Sequence, residues 1–256
     1  MGKNKITGYV FYKKLVFLIV CITCVCTVNA YVYERKNVVV LLYHNLLGGD
    51  SIPEGDFSLT TNAVKFESDI AALLEHGLKP ISLNDMYENK YDRKSKYFAI
   101  TFDDGYLSNY EIAFPILKKY NCCADIFINT HNNASEYADE FFSYEQAKEM
   151  EASGLISIHS HFSVHKDVRG FSDEEFLREL WKSFDVLAEK LGKRKYYFLA
   201  YPYGIYDEGK YEAAEKSGVN LQFTQACLSE KAQLVRRRII DFDTDIAEML
   251  KTAYKN

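Results

Sequence analysis

Apolar runs and helix-period stretches alternate along this chain from residue 38 onward. Val38–Tyr43, Tyr97–Phe102, Cys123–Ile128, Leu155–His159, Tyr196–Tyr201 and Val219–Thr224 are each nearly continuous in apolar residues. Runs of this length, rich in β-branched and aromatic residues, predict strands buried on both faces. The stretches between them carry helix start and stop signals. Thr61-Asn62 can cap a helix running to Glu75, and His76-Gly77 closes it. Ser143–Ser153 predicts a second helix, closed by Gly154. Ser172-Asp173-Glu174-Glu175 has capping-box spacing and opens a long helix that ends at Leu191-Gly192. Asp207–Ser217, closed by Gly218, predicts another. Strand and helix in strict alternation predict an α/β fold, a parallel sheet covered by helices. After residue 30 there is no repeat, no low-complexity segment and no Pro/Gly linker, which predicts one domain over residues 31–256.

The first 30 residues follow a different pattern. Lys13-Lys14 precede an apolar run, Leu15–Val28, and Val28-Asn29-Ala30 is an acceptable cleavage site for an export signal. Leu15–Tyr33 is also long enough to cross a bilayer, so an uncleaved N-terminal anchor is the competing reading. Either reading puts the body of the protein outside the cytoplasm, extracellular or at the cell surface. A lipoprotein fits poorly, because Val20, Thr23 and Val25 precede the cysteines of the segment.

Charge narrows the choice of partner. The whole chain is at −5, yet residues 1–30 hold Lys3, Lys5, Lys13 and Lys14 and no acid, so the remainder is at −9. An acidic body argues against nucleic acid or anionic lipid and suits a neutral ligand. Aromatic residues make up 15% of the chain, and tyrosines could stack on sugars, although Tyr in a core is the commoner case. After Ala30 only Cys122, Cys123 and Cys227 remain, which predicts neither a disulfide framework nor a zinc-cysteine site.

In parallel sheets, ligands gather at the carboxyl ends of the strands. The chemistry-bearing residues sit there. His44, Asp103-Asp104, His161 with His165, and Tyr203-Gly204 each follow a predicted strand. Adjacent aspartates cannot share one face of a regular strand, so Asp103 and Asp104 converge only if the chain turns, which Gly105 permits. Taken alone, the pair reads as an acidic turn. His161 and His165, four apart, would face one way on a helical turn and share one metal ion. With an aspartate from another strand they make a two-His, one-carboxylate set with open positions. His159 should point along the same side of its strand as His161, and reads as a strand or supporting histidine rather than a ligand.

These motifs resemble those of the polysaccharide deacetylases of carbohydrate esterase family 4. Thr101-Phe102-Asp103-Asp104-Gly105 is similar to the first motif of that family, Ser160-His161 through His165 to its metal-binding motif, and Ala200-Tyr201-Pro202-Tyr203-Gly204 to its third. The third has the form used by the biofilm poly-N-acetylglucosamine deacetylase branch. The resemblance covers roughly residues 37–240 and implies an irregular (β/α) barrel of about seven parallel strands. It implies Asp103 as general base, and Asp104, His161 and His165 as ligands of one divalent ion, zinc first, with cobalt, nickel or iron as alternatives. It further implies that the Tyr203 N–H steadies the oxyanion and that the substrate is an N-acetylated polysaccharide. Common members carry a Leu-x-His motif near the C-terminus, but no histidine follows His165 here. Leu42-Tyr43-His44 has that pattern at the front, as in a circular permutation, which implies His44 as general acid. A buried strand-end histidine is the plain alternative.

Two positions depart from the family. Phe162 stands where a small hydroxyl residue usually follows the first metal histidine, which would remove a supporting bond. Ala200 stands where many relatives have an arginine paired with the base. Arg238, in Arg236-Arg237-Arg238, is the expected substitute, the alternative being a surface basic cluster. Peptidoglycan or acetylxylan deacetylation, and a glycan-binding protein with an impaired site, are the competing functions.

Overall fold

The computed structural model describes residues 37–53, 59–131, 139–225, 231 and 233–253. The expected export signal or anchor, and Cys227, lie outside the described residues. Among the described residues, no helix is long and apolar enough to cross a membrane.

The strands are β1 (Val38–Tyr43), β2 (Asn45–Leu47), β3 (Thr60–Asn62), β4 (Lys79–Pro80), β5 (Tyr97–Asp104), β6 (Ala124–Ile128), β7 (Ile156–Ser160), β8 (Phe198–Ala200), β9 (Leu221–Thr224), β10 (Leu234–Arg236) and β11 (Arg238–Ile239). Their order in the main sheet is β10-β9-β8-β7-β6-β5-β1-β11, with β4 beside the start of β5 and every pairing parallel. β2 and β3 pair separately. The two end strands are halves of one segment. β10 pairs with β9, and β11, one residue later, pairs with β1. Residues 234–239 therefore bring the two ends of the row together and wrap the sheet into a barrel. Counted this way the staves number about seven, as the resemblance implies.

Side chains alternate between two apolar layers, as strand geometry requires. Val40, Ala99, Phe127, Phe198, Phe223 and Val235 fill the barrel, and Ile81, Leu83 and Met86 pack against them from one end. Leu41, Phe98, Ile126, Ile158 and Leu199 face outward, under helices that contribute Phe66, Leu117, Met150, Phe176 and Leu180. Burial on both faces explains why the strands read as continuous apolar runs.

The helices are α1 (Ala63–Glu75), α2 (Leu83–Tyr87), α3 (Phe114–Tyr120), α4 (Tyr144–Ala152), α5 (Asp173–Leu191), α6 (Glu208–Ser217) and α7 (Ile246–Ala253). Four begin where the caps predict. The Asn62 side chain accepts from Lys65 N at 2.8 Å. Ser143 and Ser172 form full capping boxes with Gln146 and Glu175. Asp207 accepts from Lys210 N at 3.0 Å. Each such cap stabilises its helix by ~1 kcal/mol. The predicted strands lie within one or two residues of the observed ones, β5 running on by two residues through both aspartates. The sequence pattern did not show α2, α3, α7 or the short strands β2, β3, β4, β10 and β11, whose lengths give periodicity too little to act on.

Candidate active site

Asp103 and Asp104 end β5, and the convergence expected of them is produced by Asp104 itself. Its φ is 70°, and Gly105 follows at 80°. The glycine is required: a Cβ there would stand 2.8 Å from the Ile128 Cγ2 atom. The turn lets both carboxylates approach the mouth of the barrel, although they are neighbours on one strand.

Asp103 is 1% exposed and is gripped by Arg237, Nη1 to Oδ1 and Nη2 to Oδ2, each at 2.6 Å. Burial alone would raise its pKa. The Arg237 charge overrides burial, with help from His161, and holds it at about 2. The partner is Arg237 and not Arg238, which corrects the expectation. Val235 points into the barrel, so alternation aims position 237 inward too, while Arg238 sits in β11 opposite Leu41. The parity of Val235 was the available signal. Arg237 is 1% exposed, lies 5.2 Å over the Phe127 ring, and has a buried Nε without a hydrogen-bond partner.

His161 and His165 come together, but not on a helical turn. β7 ends at Ser160, and residues 161–165 form an irregular loop in which Phe162 has φ 66°. Phe162 is fully buried, with its ring 5.3 Å from Phe176 on α5. The hydroxyl it displaces has neighbours on both sides. Ser160 Oγ accepts from Phe162 N at 3.1 Å, and the Ser163 hydroxyl donates to the Glu179 carboxylate on α5.

His161 Nδ1 donates to the Ala200 carbonyl at 2.8 Å, so the lone pair of its neutral ring is at Nε2. That Nε2 and the His165 Nε2 each lie 3.7 Å from Asp104 Oδ1, too far for a hydrogen bond. Ligand atoms from Asp104, His161 and His165 all lie within 4.8 Å of one another. Two donors bound tetrahedrally to one zinc ion stand about 3.4 Å apart, so this spacing and donor set fit a divalent metal. Electrostatics agree. Burial first, then the charge of Asp103, push Asp104 up to about 7 against the pull of Arg237. A cation at the triad would relieve that repulsion. Burial lowers both histidines, His161 to about 4, with Asp103 opposing in each case.

His44 follows β1 and is 6% exposed. Its Nδ1 is buried without a partner, and its carbonyl accepts from Asn109 Nδ2 at 2.9 Å. Burial lowers its pKa to about 4; Asp103 pulls upward, while Arg237 and His165 add to the fall. Tyr203 has φ 59° in the turn Pro202–Gly204 and is 54% exposed, its ring edge-on to His165 at 4.4 Å. The structure thus brings all six expected residues to one rim. His159 lies lower in the barrel, its Nε2 bonded to Asp125 Oδ1 at 2.8 Å. Sequence reasoning missed Arg237, Asp125 and Asn129, whose Nδ2 donates to the His161 carbonyl at 2.5 Å. Asn129 carried no motif signal beyond its place after β6.

A family model described as polysaccharide deacetylase matches residues 90–221. The putative polysaccharide deacetylase YxkH of Bacillus subtilis is 31% identical over 72% of this chain, which spans 63% of that protein's length. A poly-beta-1,6-N-acetyl-D-glucosamine N-deacetylase of Staphylococcus aureus (strain MSSA476) is 31% identical over 78% of this chain and 75% of its own. Among solved structures, IcaB from Ammonifex degensii superposes with a TM-score of 0.72 at 25% identity, covering 85% of this chain and 97% of that one. The deacetylase PplD of Streptococcus pyogenes, in complex with acetate, gives 0.74 at 24% identity, covering 84% and 97%.

Proposed function

Since the chain belongs to the polysaccharide deacetylase family, we propose that it removes N-acetyl groups from N-acetylglucosamine units of an extracellular polysaccharide, poly-N-acetylglucosamine first. The single observation that carries this reading is the triad beside Asp103: three lone-pair atoms within 4.8 Å, next to an arginine-held carboxylate. The named substrate of the Staphylococcus relatives supports the choice of polymer.

Asp104, His161 and His165 would hold one divalent ion, zinc or alternatively cobalt, nickel or iron. When bound, it supplies Lewis acidity and brings the pKa of water down toward about 7. Asp103, kept ionised by Arg237, accepts the proton of the attacking water. Arg237 also keeps that carboxylate oriented, since both terminal guanidinium nitrogens, Nη1 and Nη2, are engaged. The Tyr203 N–H steadies the negative charge on the former carbonyl oxygen. His44 donates a proton to the leaving amine as the C–N bond breaks. Burial favours its neutral form, so the adjacent charge of Asp103 and the developing oxyanion are what favour the protonated one. Proton return from Asp103 to His44 completes the cycle, with acetate and the free amine as products. The Lys13-Lys14 and Leu15–Val28 pattern supports action outside the cytoplasm.

The test is acetate release from a β-1,6-linked N-acetylglucosamine oligomer, with and without a chelator. Release that stops on chelation and returns with zinc is expected. A protein that binds metal yet frees no acetate from any glycan would be a binding relative.

A further inference from the structure

We propose that Tyr106 and Phe141 form a stacking platform for a sugar ring next to the reacting one, so that the site prefers a polymer to a monosaccharide. This rests on the reading of the site as a glycan N-deacetylase.

The platform is built by backbone that has no part in the barrel. Tyr106 and Phe141 face each other across an isolated antiparallel bridge. Two hydrogen bonds fix it: Leu107 N to Glu140 O at 2.8 Å and Phe142 N to Gly105 O at 3.1 Å. The two rings stack with centroids 5.4 Å apart and planes 27° apart. Neither ring belongs to the buried core, and both remain partly exposed. Core packing therefore does not account for a phenylalanine at this place.

Its position is set by the reactive turn. Gly105 directly follows Asp104, and it supplies the carbonyl that anchors Phe142. Tyr203 stands against His165 at 4.4 Å. A partly exposed aromatic pair therefore starts two residues after Asp104, and a second aromatic loop residue, Tyr203, stands against the triad. A pyranose offers one apolar face of C–H groups and a polar edge, and a rigid aromatic pair matches that face at little entropic cost. The acidic body of the protein suits a neutral glycan better than a charged one.

The experiment measures equilibrium binding by calorimetry in the full chain carrying Asp103→Asn, which is expected to slow turnover enough to read binding. The probes are a β-1,6-linked N-acetylglucosamine pentamer and the monosaccharide. Adding Phe141→Ala should weaken the pentamer about tenfold and leave the monosaccharide within twofold. Phe141→Leu keeps apolar volume and loses the flat face; it should weaken the pentamer as well, with its melting temperature unchanged. Pentamer affinity in both variants equal to that of the Asp103→Asn parent overturns the platform, as does an equal loss for both probes. Because binding is read apart from turnover, failure of the platform is distinct from failure of the deacetylase reading, which is tested by acetate release from the wild-type chain.

Discussion

The barrel holds two floors of buried aspartate and histidine, and they differ in how many polar atoms are left over. On the lower floor Asp125 Oδ1 binds His159 Nε2 at 2.8 Å, and Oδ2 accepts from Leu83 N at 2.9 Å. The His159 ring is wedged between Phe127 and Phe198, at 5.3 and 5.0 Å. On the upper floor each histidine Nε2 stands 3.7 Å from Asp104 Oδ1, with no hydrogen bond between them. His44 Nδ1, Asn129 Oδ1 and Arg237 Nε are buried there without partners. A buried polar group left unpaired costs about 1–3 kcal/mol. The same residue types thus serve stability where the fold satisfies them, and chemistry where it leaves their lone pairs converging and free for a ligand.

The largest expected effect on turnover comes from the upper floor. Asp103→Asn should cut acetate release by roughly 10²–10⁴-fold and keep the metal, whereas His161→Ala should lose both; metal analysis beside the acetate assay reads the difference. Wild-type rates from Asp103→Asn would remove the base from the scheme. Next comes Arg237→Met. It leaves Asp103 as an unpaired buried charge, so stability should drop by about 3–5 kcal/mol in urea melts, with turnover falling alongside. The lower floor should respond in stability alone. Asp125→Ala strands the His159 ring and the Leu83 N–H, which costs about 1–3 kcal/mol, while kcat per folded molecule should hold within twofold. A matching loss of metal affinity would show that the floors are coupled, and the contrast between them would fail.

The smallest effect on turnover is expected at Asp69, a buried acid outside the barrel. It accepts from Tyr43 Oη at 3.1 Å and from Lys65 Nζ at 2.5 Å. Burial raises its pKa from 3.8 to about 6 against the pull of Lys65. The folded state therefore holds the proton more tightly than the unfolded one. Stability from this group is full below about pH 4 and is lost as pH rises through about 6. Asp69→Asn should flatten that slope in thermal melts and leave turnover unchanged. A change in turnover would mean that burial of an acid, even away from the rim, is enough to make it functional.

Much of this was legible in the chain. Continuous apolar runs located β1, β5, β6, β7, β8 and β9, because strands buried on both faces must be apolar throughout. Capping residues placed four helix starts within a residue. The polar residues after the strands pointed to one rim, since parallel strands share a carboxyl end. Arg237 was mistaken for Arg238 because a three-arginine run gives no register by itself, and a one-residue slip reverses the face. The helical turn expected over His161–His165 failed because Phe162 is drawn into the core against α5, which bends the loop through a left-handed residue. Asn129, Asp125 and the Tyr106–Phe141 bridge left no pattern, since each depends on a partner distant in sequence.

By itself, then, the sequence determined the alternation of strand and helix, the caps, and which side chains stand at strand ends, because these follow from local periodicity and backbone preference. Tertiary structure alone decided that residues 234–239 join β9 to β1, that Arg237 grips Asp103, and that three lone pairs meet while those of Asp125 do not. Those outcomes depend on how a closed sheet brings distant strands into register, and short-range pattern carries no information about that.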